Sequence, residues 1–200
     1  NCDIITFDSV WHYPHKQFVF HNKNIDTPLQ LLYSIFDRTN INAIWGRFIR
    51  RSLYVDYDVS CKAGVNMGED LQVITKLLYF AKSICVCNKS LYHYECSNMG
   101  SYMASYSTKK TMQAVESLHI VCDFFKDKNQ ILVEKVNSYV AYSYATFLAG
   151  SINGNDREIY RYILNCADQL PQGAFSEIPI SYRTFFVIRN YTLMRAYTKI

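Results

Sequence analysis

Apolar residues follow two different spacings along this chain, and the change between them divides it into two parts. Up to residue 98, short alternating or continuous apolar runs typical of strands are mixed with segments at helical spacing. Beyond residue 98 the apolar positions keep the spacing of amphipathic helices. The pattern therefore predicts an α+β protein that is mostly helical, with its strands confined to the first part.

The elements of the first part follow from residue type and spacing. Residues 3–7 and 16–22 are predicted to be strands because β-branched and aromatic side chains dominate them. A helix is expected over residues 26–38, with Asp26 or Thr27 as its cap and Pro28 in the first turn. Residues 43–54 stay open between a strand and a short helix. The further elements are a helix over residues 69–82 and two short strands over residues 83–87 and 90–95.

Helices account for most of the second part, over residues 108–128, 130–150, 156–170 and 181–197. Gly, Pro, Asn and Ser favour loops over residues 150–156 and 170–179. We therefore expect a partial α/β domain over residues 1–105 and a helical subdomain over residues 106–200.

Composition and charge restrict the class of protein. Half of the 200 residues are hydrophobic and 16% are aromatic, which is typical of a packed core and excludes a disordered chain. The net charge of +4 suits anionic ligands such as sugar nucleotides but is too small and too scattered for a nucleic-acid interface. Seven cysteines without a regular framework, and the lack of a signal peptide or a spanning apolar run, favour a reduced cytoplasmic setting. Because the chain begins without Met in an apolar run, we expect an upstream part, with a trimmed full protein as the alternative.

The segment Gly68-Glu69-Asp70, which opens the helix expected over residues 69–82, has two interpretations. Acidic side chains in a first helical turn are favoured by the exposed backbone N–H groups and the helix dipole, by about 0.3–1 kcal/mol each. A cap is the interpretation that spacing alone supports. A carboxylate held in a fixed orientation at a cleft would instead act as a general base.

Residues 42–102 resemble the acceptor side of the catalytic domain in family 2 glycosyltransferases of the GT-A type. The resemblance depends on "IWGRFIRRSLY", "NMGEDLQVITKLLYFAKSICVC" and "SLYHYE", which match the family together in order and spacing. The strand "DIITF" is similar to the one that follows the family's nucleotide-binding half. The resemblance thus covers residues 1–105, and it implies that the nucleotide-binding half lies outside this chain.

The resemblance implies a role for each matched residue. Asp70 would be the general base that takes the proton of the acceptor hydroxyl, and Glu69 would support it or bind the acceptor. The acceptor pocket would be shaped by Trp45 and Gly46, with assistance from Arg47. His93 occupies a position that some relatives place near the diphosphate or the metal, although a structural histidine is the commoner case.

The implied reaction is the transfer of a single sugar from a nucleotide-sugar to a saccharide, with inversion, in cell-surface polysaccharide synthesis. Single transfer is favoured because the Gln-x-x-Arg-Trp motif of processive synthases is absent. Glu95 stands where many relatives have Arg, which weakens the case for phosphate contact there. The alternative is a non-enzymatic helical module for interaction or dimerisation, in which Gly-Glu-Asp is only a cap.

The family's divalent cation, Mg²⁺ or Mn²⁺, binds an Asp-x-Asp motif in the upstream half. The chain contains Asp56-Tyr57-Asp58, but this match lies in the acceptor-side loop, and we interpret it as surface. We expect no metal bound to this chain. A zinc set of Cys85, Cys87, His93 and Cys96 is disfavoured by the tight Cys-x-Cys spacing, and buried thiols are expected instead.

Partners follow from the same reasoning. A nucleotide-sugar donor and a saccharide acceptor are expected for the full-length enzyme, and nucleic acid is not. A sheet that lacks its nucleotide-binding strands would leave an open edge, so we expect this chain to self-associate. The aromatic stripe over residues 139–147 is interpreted as core packing, with contact to a partner helix or the inner face of a membrane as the alternative.

Overall fold

The computed structural model describes residues 2–22, 25–98 and 106–198 and has the expected mixed α+β architecture. The chain forms two compact units. The first comprises residues 1–64 and 69–105, and the second comprises residues 65–68 and 106–200. All of the strands in the described ranges lie in the first unit.

The first unit is organised around a long central strand, β1 (Ile4–Tyr13). Its second half pairs antiparallel with β2 (Lys16–Phe20), and its first half pairs antiparallel with β3 (Arg47–Ile49). Its other edge pairs in parallel with β4 (Ile84–Glu95). The prediction of two short strands over residues 83–95 was therefore wrong, because β1 is long enough to pair with the whole segment. The pairing of β1 with β4 is irregular at two points, with one register shift on either side of Asp8.

Three helices accompany this sheet among the described residues, α1 (Pro28–Phe36), α2 (Arg51–Asp56) and α3 (Glu69–Phe80). The expected start of α1 is confirmed: Thr27 accepts from the Gln30 N–H at 3.1 Å, and the Gln30 side chain accepts from the Thr27 N–H at 3.0 Å. Helices α1 and α3 pack together, and their buried apolar residues form the core of the unit. These residues include Leu31, Leu32, Ile35, Phe36, Ile74, Leu77 and Leu78.

The second unit consists of helices packed around α5. These are α4 (Thr108–Phe125), α5 (Gln130–Asn153), α6 (Arg157–Ala167), α7 (Ile180–Ile188) and α8 (Tyr191–Tyr197), with a 3-10 helix over Gln172–Phe175. In the stripe over residues 139–147, Tyr144 is buried with Val140, Ala141 and Ala145, as core packing predicts, whereas Tyr139, Tyr142 and Phe147 are only partly buried.

Two boundaries in the second unit differ from expectation. Helix α5 runs to Asn153, so most of the loop expected over residues 150–156 is helical. The single helix expected over residues 181–197 is interrupted at Arg189, which adopts a left-handed conformation with φ 48°. Asn190 then starts α8 by accepting from the Leu193 N–H at 3.1 Å.

The expectation of buried thiols at Cys85, Cys87 and Cys96 was wrong, because Cys85 is exposed and the other two are only partly buried. Cys85 is bonded to Cys2 in a disulfide that joins the start of β4 to the residues before β1. Cys87 and Cys96 are free and partly buried, as are Cys122 and Cys166 in the second unit.

Within the described ranges, every helix is too short or too polar to span a lipid bilayer.

Candidate functional site

Asp70 lies in the first turn of α3, where its carboxyl group is half-buried. Burial raises the pKa of Asp70, and the neighbouring Glu69 raises it further. A hydrogen bond from the Ile44 backbone N–H and the charge of Arg47 act in the opposite direction. Burial also raises the pKa of Tyr54, with the Asp70 charge as a second cause, so a phenol lies within electrostatic reach of the carboxylate. The structure therefore brings Asp70 together with Glu69, Arg47 and Tyr54.

Arg47 is the buried cation of this group, with 8% of its surface exposed. Its guanidinium donates to the backbone carbonyls of Ala43 and Ile41, which braces the loop that precedes β3. Burial lowers the pKa of Arg47 to about 10, and the nearby Asp70 opposes the shift, so the side chain stays charged at neutral pH. The Nε–H is buried and has no hydrogen-bond acceptor among the described residues.

Trp45, two residues before Arg47, packs on the opposite face of the sheet. Its indole stacks on Tyr92 and Tyr94 with ring centroids 4.6 and 5.0 Å apart, and it also contacts Trp11. Because Tyr94 pairs with Trp11, these rings share the face of β1 that carries the odd-numbered residues. Gly46 makes the turn between the two faces at φ +79°, and its carbonyl accepts from the Phe7 N–H at 3.1 Å.

The other face of β1 carries a row of polar groups, which we call the polar row: Arg47, Asp8 with His21, and His12 with His93. Arg47 pairs with Thr6 and His93 pairs with Val10, so both share the face of the even-numbered residues of β1. Asp8 lies midway between these two pairs. Arg47, the Asp8–His21 pair and the His12–His93 pair are therefore aligned along one face of β1.

His93 ends the polar row in contact with a second imidazole. Its Nδ1 lies 2.8 Å from Nε2 of His12, and the two rings stack with centroids 5.0 Å apart. Glu95, aligned with His12, accepts from the Ser97 hydroxyl and N–H, and these bonds lower the pKa of the Glu95 carboxyl. Ser97 thus supplies two hydrogen-bond donors to the Glu95 carboxylate.

The Asp8–His21 pair was missed in the sequence. Asp8 is 3% exposed, and its Oδ2 lies 2.6 Å from Nδ1 of His21 at the end of β2. The available signal was an acid in the middle of an apolar strand, together with a histidine at the end of the next one.

The Asp56-Tyr57-Asp58 segment is exposed at the end of α2, with Asp58 at φ 49°, which agrees with its interpretation as surface.

Metal ligands do not converge anywhere in residues 2–22, 25–98 and 106–198, where no three His, Cys, Asp or Glu side chains are arranged to hold an ion. Comparison of the chain with known protein families and with curated proteins found no match.

Proposed function

We propose that this chain is the acceptor side of a glycosyltransferase that moves a single sugar from a nucleotide-sugar to a saccharide, with Asp70 as its general base. The observation that carries the proposal is the environment of Asp70: a half-buried carboxylate at a helix start whose pKa is raised by burial. A general base is most effective when its pKa approaches the working pH. An ordinary exposed helix cap needs no such burial.

The neighbours of Asp70 support the proposed role. The Ile44 N–H holds the carboxylate in one orientation, and Glu69 disfavours a second negative charge beside it. Arg47 is close enough to stabilise the carboxylate before it takes a proton, and the Ala43 and Ile41 carbonyls hold its guanidinium in place. The Ile44 backbone therefore fixes the orientation of the carboxylate, and burial is the main cause of its raised pKa.

The proposed chemistry begins when the acceptor hydroxyl donates its hydrogen bond to the Asp70 carboxylate. As the hydroxyl oxygen attacks the anomeric carbon, its proton passes to Asp70 and the bond to the nucleoside diphosphate breaks with its electron pair. Attack opposite the leaving group inverts the anomeric centre. A divalent cation would assist departure of the diphosphate, and the described residues provide no ligand set for it.

The other residues implied to contact the acceptor differ in whether they lie beside Asp70. Glu69 and Arg47 share the site with Asp70, so both remain in the proposal as acceptor-binding groups. Trp45 stacks on Tyr92 and Tyr94 from the aromatic face, and we propose that it holds the Gly46 turn in place.

The test is transfer by the full-length enzyme with Asp70→Asn. Loss of a general base costs about 10²–10⁴-fold in rate, and we expect the turnover number to fall within that range while donor binding persists. Asp26→Asn is the matched control, because it removes the same charge from the exposed residue just before α1. If Asp70→Asn turns over as fast as Asp26→Asn, Asp70 is only a cap, whereas a wild type without transfer activity would favour the non-enzymatic alternative.

A further inference from the structure

A half-exposed histidine held by a buried carboxylate stands beside the proposed site. Nδ1 of His21 lies 2.6 Å from Oδ2 of Asp8, and the two side chains are 48% and 4% exposed. An ionised carboxylate can only accept a hydrogen bond, so the proton of the neutral imidazole resides on Nδ1. Nε2 is then left as an acceptor on a side chain that solvent reaches. This is the arrangement that orients functional imidazoles in proteins.

Asp8 is itself held rigidly. Its Oδ1 accepts from the Asn22 N–H at 3.0 Å, and the Asn22 amide donates to the Phe7 carbonyl at 2.8 Å. Burying a carboxylate is costly unless hydrogen bonds compensate it, and here the compensation comes from the residues around His21. Asp8 also lies between the two register shifts of the β1–β4 pairing. Such irregularities are frequent next to active sites, where they redirect a side chain.

The same loop connects this pair to Asp70. Asn40 donates to the Asn22 side chain at 3.3 Å, and a few residues later the Ile44 N–H donates to Asp70. Arg47 pairs with Thr6, and Asp8 is two residues further along the same face of β1, or about 7 Å at the rise of a strand. The segment over residues 40–47 thus contacts Asn22, next to His21, through Asn40 and contacts Asp70 through Ile44.

We propose that His21 is a ligand-binding residue of the acceptor site, in which Nε2 accepts a hydrogen bond from a second hydroxyl of the saccharide. Asp8 is its positioning residue, because it fixes the tautomer and the orientation of the ring. The inference rests on the proposed function for the class of ligand, a neutral saccharide, and it adds a specificity contact that the sequence did not predict. The rival explanation is that Asp8 and His21 only clamp the end of β2.

The experiment is an NMR titration of the 200-residue chain labelled with ¹⁵N-histidine. The probes are a panel of neutral mono- and oligosaccharides, with inorganic phosphate as the anionic alternative. We expect a saccharide to shift the His21 ring signals while those of His15, which lies in the exposed β1–β2 turn, stay in place. The proposal is overturned if phosphate is the only probe that shifts the His21 signals. It is also overturned if none of the probes shifts them up to its solubility limit.

Variants separate binding from clamping. His21→Gln retains an amide donor for Asp8 and removes the ring acceptor, so we expect saccharide affinity to fall about tenfold with the melting temperature nearly unchanged. His15→Gln is the control and should bind as the wild type does. Asp8→Asn should change the tautomer reported by the His21 ring nitrogens. A lower melting temperature with unchanged saccharide affinity in His21→Gln would establish the clamp and refute the ligand contact.

The two proposals fail in different ways. If saccharide binding depends on His21 but Asp70→Asn turns over normally, the proposed binding site stands and the proposed general base fails. If turnover depends on Asp70 but His21→Gln leaves the acceptor KM unchanged, the proposed enzyme function stands and the proposed role of His21 in the acceptor site fails.

Discussion

The sharpest stability prediction concerns the charge of Asp70. Because burial raises the pKa of Asp70 above its ordinary value of 3.8, the folded state holds this proton more tightly than the unfolded state does. Asp70 therefore contributes stability that is fully present below pH 3.8 and is lost as the pH rises through its folded pKa. Asp70→Asn removes the titration while keeping a comparable cap and an oxygen for the Ile44 N–H.

The magnitude follows from the size of the shift. Each unit by which the pKa is raised lowers the free energy of unfolding of the wild type, relative to Asp70→Asn, by about 1.4 kcal/mol between acid and neutral pH. The attraction between a carboxylate and a helix start opposes this by about 0.3–1 kcal/mol. Burial is the larger effect, so we expect the wild type to lose stability relative to Asp70→Asn as the pH rises.

The assay is urea unfolding followed by tryptophan fluorescence at a series of pH values from about 3 to 8. Trp11 and Trp45 are the only tryptophans, and both lie in the first unit, so the signal reports the unit that contains Asp70. We expect the free-energy difference, wild type minus Asp70→Asn, to decrease as the pH rises. An increase would show that Asp70 is a stabilising cap with a lowered pKa, and the argument for a tuned base would fail.

Two further predictions concern the framework around the site. Gly68→Ala should destabilise the protein by about 1–3 kcal/mol, because Gly68 has φ +79° and an added Cβ would lie 2.8 Å from a serine Cβ. Gly64→Ala, at φ +81° in open space, should cost less. Equal losses of stability in chemical denaturation would contradict the steric argument. Cys2→Ser should lower the free energy of unfolding by about 2–4 kcal/mol under oxidising conditions, because it opens a disulfide that spans 83 residues, and a wild type equally stable with and without reductant would refute this.

Local patterns determined the elements that stand largely on their own sequence. Helix α1 begins where Thr27 and Pro28 predict it, and in the structure Gln30 completes a capping box with Thr27. Helix α3 was predicted because its apolar stripe must be buried whatever it packs against. Glu69 and Asp70 mark a helix start by residue type alone, whereas the role of Asp70 as a general base was implied only by the resemblance to glycosyltransferases.

Tertiary structure decided the features that depend on pairing between distant segments. Residues 83–95 form one strand because β1 offers a partner along its whole length, and no local signal carries that information. Trp45 and Arg47 occupy opposite faces because Gly46 turns the chain at the edge of the sheet. Residue types and local periodicity therefore determined most of the helices and strand segments. Strand register alone decided that Asp8, His21, Arg47 and His93 share one face, because it aligns residues that lie far apart in the chain.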